Sequence, residues 1–169
     1  MPLWGALLTD TLLAIMTPED RLRELGLELP EVPAPVAAYV PAVQAGELVY
    51  VSGQLPFQNG ALQAVGQVPI ACSVEVATAA ARICGLNALA VLGAHLPNGL
   101  SQVKQIVRLG VFVQCEGGFE QQPQIANGAS ELMQEVFGEA GRHARAAVGS
   151  VALPLNASVE LELIAQVSS

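Results

Sequence analysis

Arg145 is the residue whose placement most needs an explanation. It stands between Ala144 and Ala146 and opens the apolar run Arg-Ala-Ala-Val-Gly-Ser-Val. A guanidinium entering an apolar strand is costly to bury unless it is paired. Its planar fork matches a carboxylate held by two parallel hydrogen bonds. Two uses fit this position: an anchor for a small carboxylate, or an edge arginine whose head reaches water or an acid of the same chain. Ser52-Gly53-Gln54 closes a candidate strand. Glycine there lets a backbone N–H approach a ligand, or simply makes a turn. Glu160 is a candidate general base, or a solvated or ion-paired acid. Asn127 falls early in a candidate helix, where it either donates to a ligand or faces solvent. Arg142 and His143 lie just before Arg145 and either shape its pocket or form an exposed loop.

The other reactive residue types form no known pattern. His95 and His143 are far apart in sequence and make no ligand-spaced pair, so no metal site is expected. Cys72, Cys84 and Cys115 match no zinc or redox spacing and are odd in number. They read as small buried apolar residues in a reducing compartment, the cytoplasm. The sequence shows no serine–histidine–acid set, phosphate-cradling glycine loop or cofactor fingerprint, and no cofactor is expected.

Composition narrows the partners. The net charge is −8, and the only cations besides histidine are the seven residues Arg21, Arg23, Arg82, Lys104, Arg108, Arg142 and Arg145. They form no run and no basic–aromatic stripe, so no nucleic-acid partner is expected. Of the 169 residues, 52% are apolar but only 4% aromatic. The core must therefore be built from Ala, Val, Leu and Ile, which limits the area each side chain buries. That fits a subunit burying further surface against copies of itself.

The elements that must hold these residues can be read along the chain. Residues 1–16 read as an N-terminal extension, apolar but too short to span a bilayer and lacking a basic n-region. No membrane partner is expected; either Met16 or its neighbourhood is the functional start and the leader an upstream extension, or the leader is an amphipathic helix that packs on the domain. A single domain follows over 17–169. Thr17-Pro18-Glu19-Asp20 opens a short helix closed by Gly26. Pro30, Pro33 and Pro35 exclude helix in the next stretch. Strands are expected over Tyr39–Val43 and Leu48–Ser52, with Asn59-Gly60 as a turn. A helix is expected over 73–95, capped by Ser73, with Val76, Ala80, Ile83, Asn87 and Ala90 on one face. Val103–Cys115 reads as a strand, and Pro123–Phe137 as a helix with Ile125, Ala129, Leu132, Met133, Val136 and Phe137 on its apolar stripe. Ala146–Val151 and Ser158–Val167 read as a closing strand pair around Pro154-Leu155-Asn156. The expected fold is α+β, with two long helices on one face of a mixed sheet. In the last strand Glu160, Glu162, Ile164 and Gln166 share the other face, a mixture suited to contact with other subunits.

The run Val49-Tyr50-Val51-Ser52-Gly53-Gln54-Leu55-Pro56, then Arg145-Ala-Ala-Val, Leu153-Pro154 and Val159-Glu160-Leu161-Glu162, resembles the Rid (YjgF-like) family. The resemblance covers nearly all of residues 31–167. It implies a chorismate-mutase-like (bacillary type) α+β fold and a homotrimer with clefts between subunits. Active members hydrolyse reactive 2-imino acids, released as enamines, to 2-keto acids and ammonia. By position, Arg145 would grip the substrate carboxylate and Glu160 would orient the attacking water. Tyr39, thirteen residues before Ser52, matches the family's cleft tyrosine. Ser52 and Gly53 would line the pocket, and Asn127 matches the cleft asparagine. This division of labour needs no metal and no cofactor. Ala147 stands where the best-studied deaminase branch often has cysteine, and the loop at 137–144 is longer and more polar than in that branch. Both features resemble a sister subgroup often labelled endoribonuclease-like. The alternative to an enzyme is a trimer that binds small carboxylates or keto acids for regulation, without turnover.

Overall fold

The computed structural model describes residues 16–32 and 38–168. Residues 1–15, which hold nearly all of the extension, and the prolines at 33 and 35 lie outside the described residues.

Helix α1 (Pro18–Glu24) begins as its sequence dictates. The Thr17 hydroxyl accepts from the Asp20 N–H, and the Asp20 carboxylate accepts from the Thr17 N–H, a reciprocal capping box. Strands β1 (Ala42–Ala45) and β2 (Leu48–Gln54) form a hairpin across Gly46 and Glu47, with Ala45 opposite Leu48. The first strand thus starts later than Tyr39. Strands β3 (Phe57–Gln58) and β4 (Ala61–Leu62) flank Asn59 and Gly60, which take φ of 53° and 78°. Positive φ at both central residues is the geometry for which Asn-Gly is favoured.

Helix α2 (Val74–His95) follows the Ser73 cap, and helix α3 (Gln122–Phe137) follows strand β5 (Val103–Gln114). Both helices pack on one face of a five-stranded sheet ordered β1-β2-β7-β5-β6, where β6 is Ala144–Ser150 and β7 is Val159–Val167. All six apolar-stripe residues expected for α3 are buried. From the sheet, Val49, Val51, Leu109, Val111, Val113, Leu161 and Leu163 meet the helices.

Two expectations fail. The last two strands are not a pair. Strand β6 runs parallel to β5, with α3 as the crossover, while β7 inserts between β2 and β5, antiparallel to both. A helix between two strands makes the parallel crossover possible. The short 3₁₀ turn at Pro154–Asn156 then carries the chain to the sheet centre, with Leu155 and Asn156 at positive φ. The face assigned to α2 is also rotated. Val76 is 47% exposed, and the buried face is Ala77, Ala80, Ala81, Cys84, Gly85, Ala88 and Leu92. A helix that is apolar nearly all round gives no contrast from which to choose a face. This helix is long and apolar enough to cross a membrane by length and composition, but here its apolar side chains pack on the sheet and α3.

The second sheet face carries no covering layer among the described residues. Val43, Tyr50 and Ile164 lie side by side across β1, β2 and β7, and Val148 lies on β6. Tyr50 is 44% and Val148 46% exposed. Beside them sit Glu160, Glu162 and Arg108, with Arg108 Nη1 donating to Glu162 Oε1 at 2.7 Å. Cys72, Cys84 and Cys115 are free thiols and buried, as small apolar residues.

Candidate functional site

Arg145 is braced by helix α3. Its Nη1 donates to Asn127 Oδ1 at 2.9 Å and to Ser130 Oγ at 2.9 Å, and its Nη2 donates to the Pro123 carbonyl at 3.2 Å. Strand β6 supplies the reason for this contact. Arg145 pairs with Leu109 and therefore projects to the helix side of the sheet, at the sheet's edge. There it meets the N-terminal half of α3 rather than water alone. No acid pairs with it among the described residues. Three of its five N–H donors are used and two remain for a ligand. The open cleft in front, of about 330 Å³, is lined by Asn127, Ser130, Gln134, Arg142, His143 and Arg145. None of these is acidic, so the cleft is suited to an anion.

Ser130 and the role of His143 are what sequence reasoning missed. His143 Nδ1 lies 2.6 Å from the Gly141 carbonyl and Nε2 lies 3.0 Å from Ser130 Oγ. A carbonyl only accepts, so Nδ1 carries the proton and Nε2 accepts from the Ser130 hydroxyl in the neutral ring. Burial lowers the His143 pKa, the Gly141 hydrogen bond works against it, and the Arg145 charge lowers it further. A signal did exist in the sequence: Ser130 is a polar residue on the apolar side of an amphipathic helix, three positions after Asn127.

A second cluster forms on the open sheet face. Gly53 on β2 faces Glu160 on β7, and a Cβ on Gly53 would lie 1.9 Å from Glu160 Oε1. Glycine is required here to make room for the carboxylate rather than for backbone freedom. Ser52 Oγ donates to the Val40 carbonyl at 2.9 Å, tying the strand end to the segment that carries Tyr39, which is 58% exposed. Burial raises the Glu160 pKa, and the neighbouring Glu162 charge adds to the rise. Glu160 therefore stays protonated to a higher pH than an ordinary glutamate, and a function that needs its carboxylate falls away as pH drops through that raised value. Gly53→Ala is expected to push the Glu160 carboxylate aside while leaving the fold intact, because the clashing atoms end a flexible side chain. Activity that depends on Glu160 should drop at least ~10-fold, with the thermal midpoint nearly unchanged. An active Gly53→Ala protein would show that this close approach has no function.

One chain does not unite the two clusters. Leu109 joins Arg145 to Leu163, three positions along β7 from Glu160 and of opposite parity. Arg145 and Glu160 thus leave opposite faces of the sheet. Asn127 gathers with Arg145, and Gly53 lies against Glu160, with the Ser52 hydroxyl turned to the Val40 carbonyl. Among the described residues, no three His, Cys, Asp or Glu side chains are grouped as a metal-ligand set.

Comparison with known proteins places this architecture. The family model described as "YjgF/chorismate_mutase-like, putative endoribonuclease" matches residues 19–167. The chain belongs to the YjgF family. Its mixed sheet with two long helices on one face is the YjgF/chorismate-mutase-like fold. Protein TCP17 of Trypanosoma cruzi is 41% identical over 149 residues, covering 88% of this chain and 92% of that protein. The crystal structure of Atu1372 from Agrobacterium tumefaciens, of unknown function, superposes with a TM-score of 0.84 at 43% identity, covering 90% of this chain and 94% of that one. A more distant YjgF relative, a 2-iminobutanoate/2-iminopropanoate deaminase of Dermatophagoides farinae, is 28% identical over 138 residues, covering 82% of this chain and 92% of that protein.

Proposed function

We propose that this YjgF-family chain hydrolyses small 2-imino acids to 2-keto acids and ammonia, in clefts that a neighbouring subunit completes. The observation that carries this reading is the braced Arg145, with donors left over and an acid-free cleft before it. A protonated imine carbon is already electrophilic, so the protein need only hold the carboxylate and place one water. Arg145 does the first and Glu160, with its raised pKa, orients the second. In a cleft completed by a neighbouring subunit, Asn127 would come from the Arg145 side, and Tyr39, Ser52 and Gly53 from the Glu160 side. The 28% identity to the Dermatophagoides farinae 2-iminobutanoate/2-iminopropanoate deaminase supports the reaction class.

The same geometry supports a subunit arrangement in which neighbouring copies complete the cleft. Arg145 and Glu160 lie on opposite faces of one sheet, so a single cleft holding both needs a second copy. The open face, with Val43, Tyr50, Ile164 and Val148, supplies apolar surface for it. Light scattering at micromolar concentration is expected to give three times the chain mass. A monomer would separate the two clusters and remove this mechanism.

The activity test is release of keto acid and ammonia from freshly generated 2-aminoacrylate. No rate above background with several amino-acid-derived enamines would sink the enzyme reading. One observation favours a binding-only trimer as the second reading: the Arg145 cluster is complete without Glu160. Calorimetric binding of 2-ketobutyrate together with a null deaminase assay would select it.

A further inference from the structure

Imine hydrolysis moves protons as well as a water. We propose that Ser130 and His143 form a proton relay in the Arg145 cleft, taking the proton that the attacking water loses. The inference rests on the proposed hydrolysis and adds to it a route for the proton that Glu160 alone does not provide.

Three hydrogen bonds in series define the relay. Arg145 Nη1 donates to Ser130 Oγ at 2.9 Å, Ser130 and His143 Nε2 are 3.0 Å apart, and His143 Nδ1 holds the Gly141 carbonyl at 2.6 Å. The Gly141 carbonyl fixes the ring and its tautomer, so Nε2 has a lone pair aimed at the Ser130 hydroxyl. That is the arrangement of a hydroxyl with its base and a third group orienting the base. Ser130 is 8% exposed yet lines the cleft. One of its two lone pairs takes the Arg145 N–H, and the other can accept from a water. The guanidinium that grips the carboxylate is thereby hydrogen-bonded to the hydroxyl that receives the proton, which keeps both near the reacting carbon.

The step balances without any co-reactant. Water gives a proton to Ser130 Oγ as the Ser130 proton moves to His143 Nε2. The hydroxide adds to C2 of the iminium, and the C=N π electrons go to nitrogen, giving a carbinolamine. The imidazolium returns its proton through Ser130 to the nitrogen. The C–N bond then breaks with its electrons leaving on ammonia, the carbinol proton passes to the relay, and the carbonyl forms. Ammonia or solvent finally takes that proton and the ring is neutral again.

The surroundings keep the ring in its accepting form. Helix α3 offers Ser130, Asn127 and Gln134, all neutral, and β6 offers Arg145. The preceding turn brings Arg142, paired with Glu139 at 3.2 Å, and β5 reaches that turn through Gln105, which donates to the Arg142 carbonyl. Burial holds the His143 pKa below its usual 6.5, and Arg145 lowers it further against the Gly141 hydrogen bond. The neutral ring accepts protons, so the relay is active above that lowered pKa and fails below it.

The test uses the full-length protein, 2-aminoacrylate turnover from about pH 5 to 8, and 2-ketobutyrate affinity. His143→Gln and Ser130→Ala are expected to lose roughly 10²-fold in kcat, and the acid limb attributed to His143 should vanish. Affinity for 2-ketobutyrate should stay within about threefold, because Arg145 keeps Asn127 and Pro123. Glu160→Gln should retain the His143 limb. Two results overturn the relay alone: variants with wild-type kcat and an intact limb, or variants whose rate and 2-ketobutyrate affinity fall together. An inactive wild type overturns the relay and the hydrolysis reading at once.

Discussion

Arg145→Ala is expected to abolish 2-aminoacrylate turnover and to weaken 2-ketobutyrate binding by roughly 10²- to 10³-fold. Two charged hydrogen bonds to a carboxylate are worth about 1.5–3 kcal/mol each before solvent screening, and the side chain is solvent-exposed here, so the lower part of their sum applies. Arg145→Lys is the sharper probe. The guanidinium already serves Asn127, Ser130 and the Pro123 carbonyl and keeps two donors for the ligand. An ammonium has three donors at a single point and cannot reach these three acceptors and a ligand together. Arg145→Lys should therefore lose at least ~10-fold in affinity despite keeping the charge. Calorimetry on both variants measures this. Unchanged affinity in Arg145→Lys would mean that Arg145 contributes charge alone and that its bracing has no role. Because Arg145 stands at the sheet edge with its head exposed, neither substitution should change the thermal midpoint by more than a few degrees.

Gly128→Ala is expected to have the largest effect on stability. Gly128 faces α2 from α3, and a Cβ there would lie 2.0 Å from the Thr78 carbonyl oxygen and 3.0 Å from its carbon. Both are backbone atoms of a helix, so no rotamer change relieves the overlap and the helices must separate. Overpacking of this kind costs about 1–3 kcal/mol and occasionally more. Alanine's better helix propensity returns only about 1 kcal/mol, so the clash wins. Separation would also strip contacts from a seam of small residues: Ala77, Ala81, Gly85 and Ala129 are all buried. A net loss of about 1–2 kcal/mol corresponds to a drop of roughly 2–8 °C in thermal midpoint for a chain of this length. Protein concentration must be matched, because association shifts the midpoint. An unchanged midpoint would show that the seam is looser than its geometry indicates. The contrast with Gly53 is instructive, since there the clashing atoms belong to the flexible Glu160 side chain.

Much of this was legible in the sequence, and the exceptions share a cause. The stripe of α3, the Thr17 and Ser73 caps, the Asn59-Gly60 turn and the alternation of β7 are local patterns, set by neighbours within a few residues. The oddity of Arg145, an arginine opening an apolar strand, was visible as well. The family resemblance drew Asn127, Ser52, Gly53 and Glu160 into one expected site with it, but within one chain only Asn127 reaches Arg145, while Gly53 and Glu160 meet on the opposite sheet face. The buried face of α2 was not legible, because Ala, Cys and Gly on one side and Val and Ile on the other offer almost equal hydropathy. What selects the face is size, since only small residues let α2 approach α3 so closely.

The order of strands was decided by tertiary structure alone. Residues 144–150 and 159–167 look like a hairpin, yet β7 prefers the sheet centre, where Val159, Leu161 and Leu163 are buried under both helices. Pairing between strands is non-local, and the sequence of one strand does not name its partner. That choice fixes the site: it puts Arg145 at an edge against α3, Glu160 over Gly53 on the other face, and His143 against Ser130. The sequence by itself determined which groups are available, an arginine opening an apolar strand, two glutamates on one strand and a histidine two residues before that arginine. The tertiary structure decided which of them touch, because contacts between residues far apart in the chain depend on sheet order and on how closely two helices pack.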